Sequence, residues 1–140
     1  MYKKIQSTKL KSVNKVLIVD DEELSRNLLS KILTRYLGCE VFMAPNGVEA
    51  LSFLQSKKFD LIRVDLAMPG IPGVKLIELI GYSDPEVSIM VVTGNAKDSD
   101  IAAVKKLGIN RIVYKPFKIS SLLEKVADIL IEKEQVNSLA

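Results

Sequence analysis

Short apolar runs alternate along the chain with longer stretches whose apolar residues recur at helical spacing. Val16-Leu17-Ile18-Val19 is wholly apolar and ends in Asp20-Asp21. Val41 to Ala44, Phe59 to Asp65, Ile89 to Val92 and Ile112 to Tyr114 repeat the theme. Such runs are too short for helices and show little in/out alternation, the pattern of strands covered on both faces. Between them, Leu24, Leu28, Leu29, Ile32, Leu33, Tyr36 and Leu37 form a stripe on one predicted helix, read here as core, with Gly38 as its stop. Asn46 with Glu49 predicts a capped second helix, carrying Val48, Ala50, Leu51 and Leu54. A third helix is expected over about Val74 to Ile80, and a fourth over Ser99 to Leu107, closed by Gly108. Ser121 and Glu124 have the spacing of a capping box ahead of a fifth, bearing Leu122, Leu123, Val126, Ile129 and Leu130.

Five strand–helix alternations with short connections predict an α/β domain. Right-handed crossovers make the sheet parallel and place helices on both faces. The expected strand order is 2-1-3-4-5. The domain is placed at residues 15–133, between a basic arm (1–14) and a polar, frayed tail (134–140).

Composition narrows the chemistry. At 48% apolar and 26% charged residues over 140 positions, the chain suits one globular domain. No stretch approaches the ~18–20 apolar residues of a membrane span, and the N-terminus lacks the apolar core of a secretory signal, so a cytoplasmic protein is expected. The single cysteine, Cys39, cannot form an intramolecular disulfide and reads as a small buried hydrophobe. There is no histidine, which excludes Ser-His-Asp and Cys-His nucleophilic sites, histidine-ligated zinc and a phosphohistidine. The net charge of +3 is concentrated early, in Lys3, Lys4, Lys9, Lys11 and Lys15. No aromatics interleave with these lysines, so direct nucleic-acid binding is not expected.

The strands end in polar residues of particular kinds: Asp20 and Asp21 after the first, Asp65 on the third, Thr93 on the fourth, Lys115 after the fifth. In a parallel sheet these ends share one edge, where open α/β sheets bind ligands. Pro69, Gly70, Pro72 and Gly73 force a loop just beyond Asp65. Three crowded carboxylates repel one another unless a cation lies among them, and oxygen ligands suit a hard ion such as Mg²⁺. A carboxylate can attack phosphorus, a lysine can steady phosphate as a point charge, and a threonine hydroxyl can donate to a phosphoryl oxygen. Gly94, next to Thr93, would leave room for backbone approach.

Val19-Asp20-Asp21, Asp65 with Met68-Pro69, Gly73, Thr93 and Lys115-Pro116-Phe117, in this order and spacing, resemble the receiver domain of two-component response regulators, the CheY-like flavodoxin-like fold. The resemblance spans about Lys15 to Glu132. It implies that Asp65 is the phosphoacceptor. It makes Asp21 a direct ligand of Mg²⁺ (or Mn²⁺), Asp20 a ligand through water, and the backbone carbonyl of Ala67 a further ligand. Thr93 becomes the switch hydroxyl and Lys115 the contact to carboxylate or phosphoryl. Ala67 and Asn95 fall at positions that tune dephosphorylation, and the peptide before Pro116 is a candidate cis bond. The implied phosphodonor is a sensor histidine kinase or histidine phosphotransfer protein. Output would pass through the face of the fourth helix, fifth strand and fifth helix to a downstream protein or an output domain outside this chain, or through phosphorylation-dependent homodimerisation.

Two residues depart from that pattern. Ile112 stands where receivers carry a switch aromatic, and Tyr114, on the same face of the strand, is a candidate substitute. Arg63 stands in a central strand where an apolar residue is usual. Because a buried unpaired guanidinium is very costly, it must pair with an acid unless the sheet is less covered there. Two other functions compete with the switch. One is a receiver-like binding module that is never phosphorylated. The other is an aspartate-nucleophile phosphatase, for which Ala67 replaces the expected second acid.

Overall fold

A computed structural model describes residues 12–139 of the chain. Five strands, β1 (Lys15–Val19), β2 (Glu40–Ala44), β3 (Leu61–Asp65), β4 (Ser88–Thr93) and β5 (Ile112–Tyr114), form one sheet. Five helices alternate with them: α1 (Glu23–Leu37), α2 (Gly47–Ser56), α3 (Gly73–Ser83), α4 (Asp98–Lys106) and α5 (Ile119–Leu139). The sheet is parallel throughout, in the order β2-β1-β3-β4-β5, as the alternation predicts.

Successive residues of each strand feed opposite cores. Val16, Ile18, Leu61, Met90 and Val92 pack with α1 and α5 through Leu29, Leu33, Leu123 and Val126. Leu17, Val19, Ile62, Val64 and Val91 pack on the other face with α2, α3 and α4, through Ala50, Leu76, Ile80 and Val104. This double burial explains why the strands read as continuous apolar runs. β3, the middle strand, is buried along its whole length. Its end therefore delivers a buried carboxylate, Asp65, to the carboxyl edge.

Local signals set the boundaries. Gly38 terminates α1 in a left-handed conformation at φ 63°, and its N–H returns to the carbonyls of Leu33 and Thr34. The Asn46 side chain accepts a hydrogen bond from the Glu49 N–H (2.9 Å) at the start of α2. Gly73 opens α3 where a Cβ would fall 2.9 Å from the Leu66 Cα, so only glycine lets this helix start so close to the β3 loop.

Three expectations need correction. The stripe on α1 is not all core: Leu24 and Leu28 are 79% and 52% exposed. Leu28 precedes the buried Leu29 by one residue, which turns it about 100° round the helix, and Leu24 lies on Leu28's side. Ser121 does not cap α5, which begins at Ile119, and Leu122 N–H already bonds to the Lys118 carbonyl (3.1 Å). Finally, α5 continues to Leu139, through residues where the pattern suggested a polar tail. Glu and Lys are good helix formers, so polarity alone does not end a helix. The basic arm lies outside the described residues except for its last three. Of these, Asn14 is buried, and the Ser12 hydroxyl donates to Glu134 Oε1 (3.0 Å) on α5.

Candidate functional site

The parallel sheet brings the polar strand ends to one rim. One carboxylate oxygen from each of Asp20, Asp21 and Asp65 lies within 4.8 Å of the others. Asp20 and Asp65 are buried, and Asp21 is exposed. Lys115 Nζ donates to Asp65 Oδ2 at 2.8 Å. Thr93 is buried at the end of β4, between the two, and its carbonyl accepts from the Lys115 N–H (2.8 Å). The carboxylates from β1 and β3 and the lysine after β5 therefore converge, and Thr93 ends β4 at the same edge, as the pattern of strand ends predicts.

Each side chain is held by its own local bonds. Asp65 Oδ1 accepts from the Ala67 N–H (2.9 Å), which fixes the carboxylate across the turn that starts at the strand's end. Ala67 itself sits in that turn. Thr93 Oγ1 accepts from the Ala96 N–H at 3.0 Å, so the hydroxyl keeps its own hydrogen free to donate. The Lys115–Pro116 peptide is cis, the geometry that the sequence marked as a candidate. A Cβ at Gly94 would meet the Lys115 side chain at an ordinary 3.6 Å. Ile112 packs part-buried against the α2/α3/α4 core, while Tyr114, on the same side of β5, is 55% exposed.

Asp20 has the densest set of partners. Its Oδ2 accepts from Arg63 Nη1 at 2.7 Å, and its Oδ1 accepts from the Glu22 N–H at 2.9 Å. Arg26 Nη1 donates to its backbone carbonyl (2.7 Å). Burial pushes the Asp20 carboxyl pKa up. The hydrogen bonds from Arg63 and Glu22 N–H, with the guanidinium charge, outweigh burial and hold it below its ordinary value. Arg63 is 2% exposed and so meets the requirement for an acidic partner, although its Nε has none. The grip of Arg26 on the rim has no sequence signal, since an arginine on the first turns of a helix ordinarily reads as solvated.

The donor set fits a hard divalent cation. It offers only oxygens, clustered on one rim, two of them on buried carboxylates, with no thiolate or imidazole nearby to favour a softer ion. Cys39, on the other hand, is buried and lies outside this cluster. Its thiol is pushed up to about 12 by burial and by the charge of Asp60.

No helix among the described residues is long and apolar enough to cross a membrane. Residues 16–127 match the family model of the response regulator receiver domain. The chain is 30% identical over 112 residues to sporulation initiation phosphotransferase F of Bacillus subtilis, covering 80% of this chain and 90% of that protein. It spans only 16–36% of the length of several other curated relatives it matches. Among solved structures, a CheY-like response regulator receiver domain protein from Methanospirillum hungatei superposes with a TM-score of 0.83 at 29% identity, covering 89% of this chain and 98% of that one. A response regulator from Burkholderia pseudomallei, solved with a phosphorylated aspartic acid and a calcium ion, gives a TM-score of 0.74 at 29% identity, covering 90% of this chain and 74% of that one. With the family model covering most of its length, the chain belongs to the response regulator receiver domain family.

Proposed function

We propose that this chain is a phosphoacceptor switch in which Asp65 takes a phosphoryl group from a partner's phosphohistidine. The observation that carries the reading is the setting of Asp65: a buried carboxylate on the central strand, among two other acids and 2.8 Å from a lysine ammonium. One carboxylate oxygen forms the new bond to phosphorus as the bond from phosphorus to the donor imidazole nitrogen breaks, and the imidazole keeps the electron pair. The product is an aspartyl phosphate.

Asp21 and Asp65, with Asp20 beside them and the Ala67 backbone carbonyl at the turn, would hold Mg²⁺ or Mn²⁺. Such an ion supplies charge neutralisation at the transferring phosphoryl oxygens. Lys115 can follow the new phosphoryl charge because its side chain is 34% exposed and has room to move. Thr93 has a hydroxyl hydrogen to give to a phosphoryl oxygen. Drawing these two groups inward shifts the loops after β4 and β5 and hence the face of α4, β5 and α5, on which Tyr114 is exposed. That face would carry output to a protein or domain beyond this chain, with the receiver acting as a signalling component and not as a turnover enzyme.

The test is mass spectrometry after incubation with Mg²⁺ and a phosphorylated donor, or with a small acyl phosphate. Wild type should gain the mass of one phosphoryl group and Asp65→Ala none. Equal labelling of the two would refute Asp65 as the acceptor. No labelling of either would favour a binding module that is never phosphorylated.

A further inference from the structure

We propose that Arg63 is an internal counter-ion that weakens divalent-metal binding at the acidic rim and lets the rim stay assembled without a metal. This rests on the metal reading above and deepens it.

Arg63 precedes Asp65 by two residues on β3 and so shares its face of the sheet. The β1/β3 register sets it opposite Ile18, two residues before Asp20. From there its guanidinium runs toward the rim and bonds Asp20 at 2.7 Å, with both side chains almost wholly out of solvent. The rim thus holds three carboxylates and two cations already bonded to two of them, Arg63 to Asp20 and Lys115 to Asp65. These two cations differ in one decisive respect. Lys115 is part-exposed and can swing away when an ion or a phosphoryl group arrives. Arg63 is enclosed by the core and has no other place for its charge, which is never lost to deprotonation. It therefore stays beside any ion that binds and repels it. It also cancels the carboxylate charge that would draw the ion in. Arg63 thus acts on the site by its charge, on Asp20 and on the ion itself, without ligating the ion.

The experiment is Mn²⁺ binding to the metal-stripped full chain, read from the free-ion paramagnetic resonance signal, with folding followed by circular dichroism. Arg63→Met should bind Mn²⁺ more tightly than wild type by on the order of tenfold, because a full positive charge near the ion has gone. Arg63→Lys, which keeps the charge, should stay near wild type. Arg63→Met should also lose stability without metal and regain it with Mg²⁺, since the ion then neutralises Asp20. Equal or weaker Mn²⁺ binding by Arg63→Met would overturn the inference and reduce Arg63 to a packing element. Should that variant fail to fold even in Mg²⁺, Asp20→Asn and Asp20→Asn/Arg63→Met differ by the guanidinium alone. The double variant must then bind about tenfold tighter, and equal affinities would overturn the inference. A rim that binds no Mn²⁺ in any variant would defeat the metal reading and this inference with it. Labelling of Asp65 reports separately on phosphoryl acceptance.

Discussion

Asp20–Arg63 at 2.7 Å and Asp65–Lys115 at 2.8 Å each join a carboxylate to a cation at neighbouring points of one rim. The first pair is sealed between the sheet and its covering helices, with a carboxyl side chain 1% and a guanidinium 2% exposed. In the second, the carboxylate is equally buried but the lysine is 34% exposed. A sealed pair is costly to break because whichever partner remains is a charge without solvent. A pair with one wet end is cheap to break and cheap to re-form. The comparison teaches where the rim is rigid and where it can respond. Its β1 side is fixed by core burial, and its β5 side is free to follow a change of charge at Asp65.

That contrast can be broken most severely at Asp20. Asp20→Asn leaves Arg63 buried without a counter-charge and should cost about 3 kcal/mol in urea unfolding at neutral pH without metal. A loss under 1 kcal/mol would mean that the pair is not sealed. The deficit should itself depend on pH. The Asp20 carboxyl is held below its ordinary value of 3.8, so the pair's contribution is complete above that value and is lost as pH falls through the lower folded value. The gap between wild type and Asp20→Asn should therefore persist down to pH 3.8 and close below it. Removing both charges in Asp20→Asn/Arg63→Met should recover most of the loss, to within about 1–2 kcal/mol of wild type, because an apolar replacement of a buried pair is often near neutral. The smallest effect is expected at Lys115. Lys115→Ala should cost only about 1 kcal/mol, because the opening left by its part-exposed side chain lets water reach the carboxylate of Asp65, while slowing phosphoryl labelling of Asp65. A loss as large as that of Asp20→Asn would erase the distinction between the two sides.

Much of this arrangement was legible before any coordinates. Asp65 stood out because an apolar run ended in a carboxylate and a Pro/Gly turn followed at once. Its convergence with Asp20, Asp21, Thr93 and Lys115 followed from the parallel topology alone. The partner of Arg63 was not legible. That pairing depends on register: Asp20 lies two residues beyond Ile18, about 6.6 Å along the strand, a gap that the long arginine side chain spans. Nor did the pattern separate Leu24 and Leu28 from the buried residues of α1. Hydrophobic spacing reports a stripe, but how far the sheet and α5 reach around that stripe decides which leucines are covered.

The order of apolar and polar residues by itself determined the strands, the helices between them, their parallel arrangement and the kinds of side chain at the strand ends. These follow from backbone periodicity and crossover handedness, which are local rules. Only the tertiary structure decided which charges are sealed and which are wet, because burial belongs to the packed whole. The same carboxylate and cation types thus became a fixed brace at Asp20 and a movable contact at Asp65.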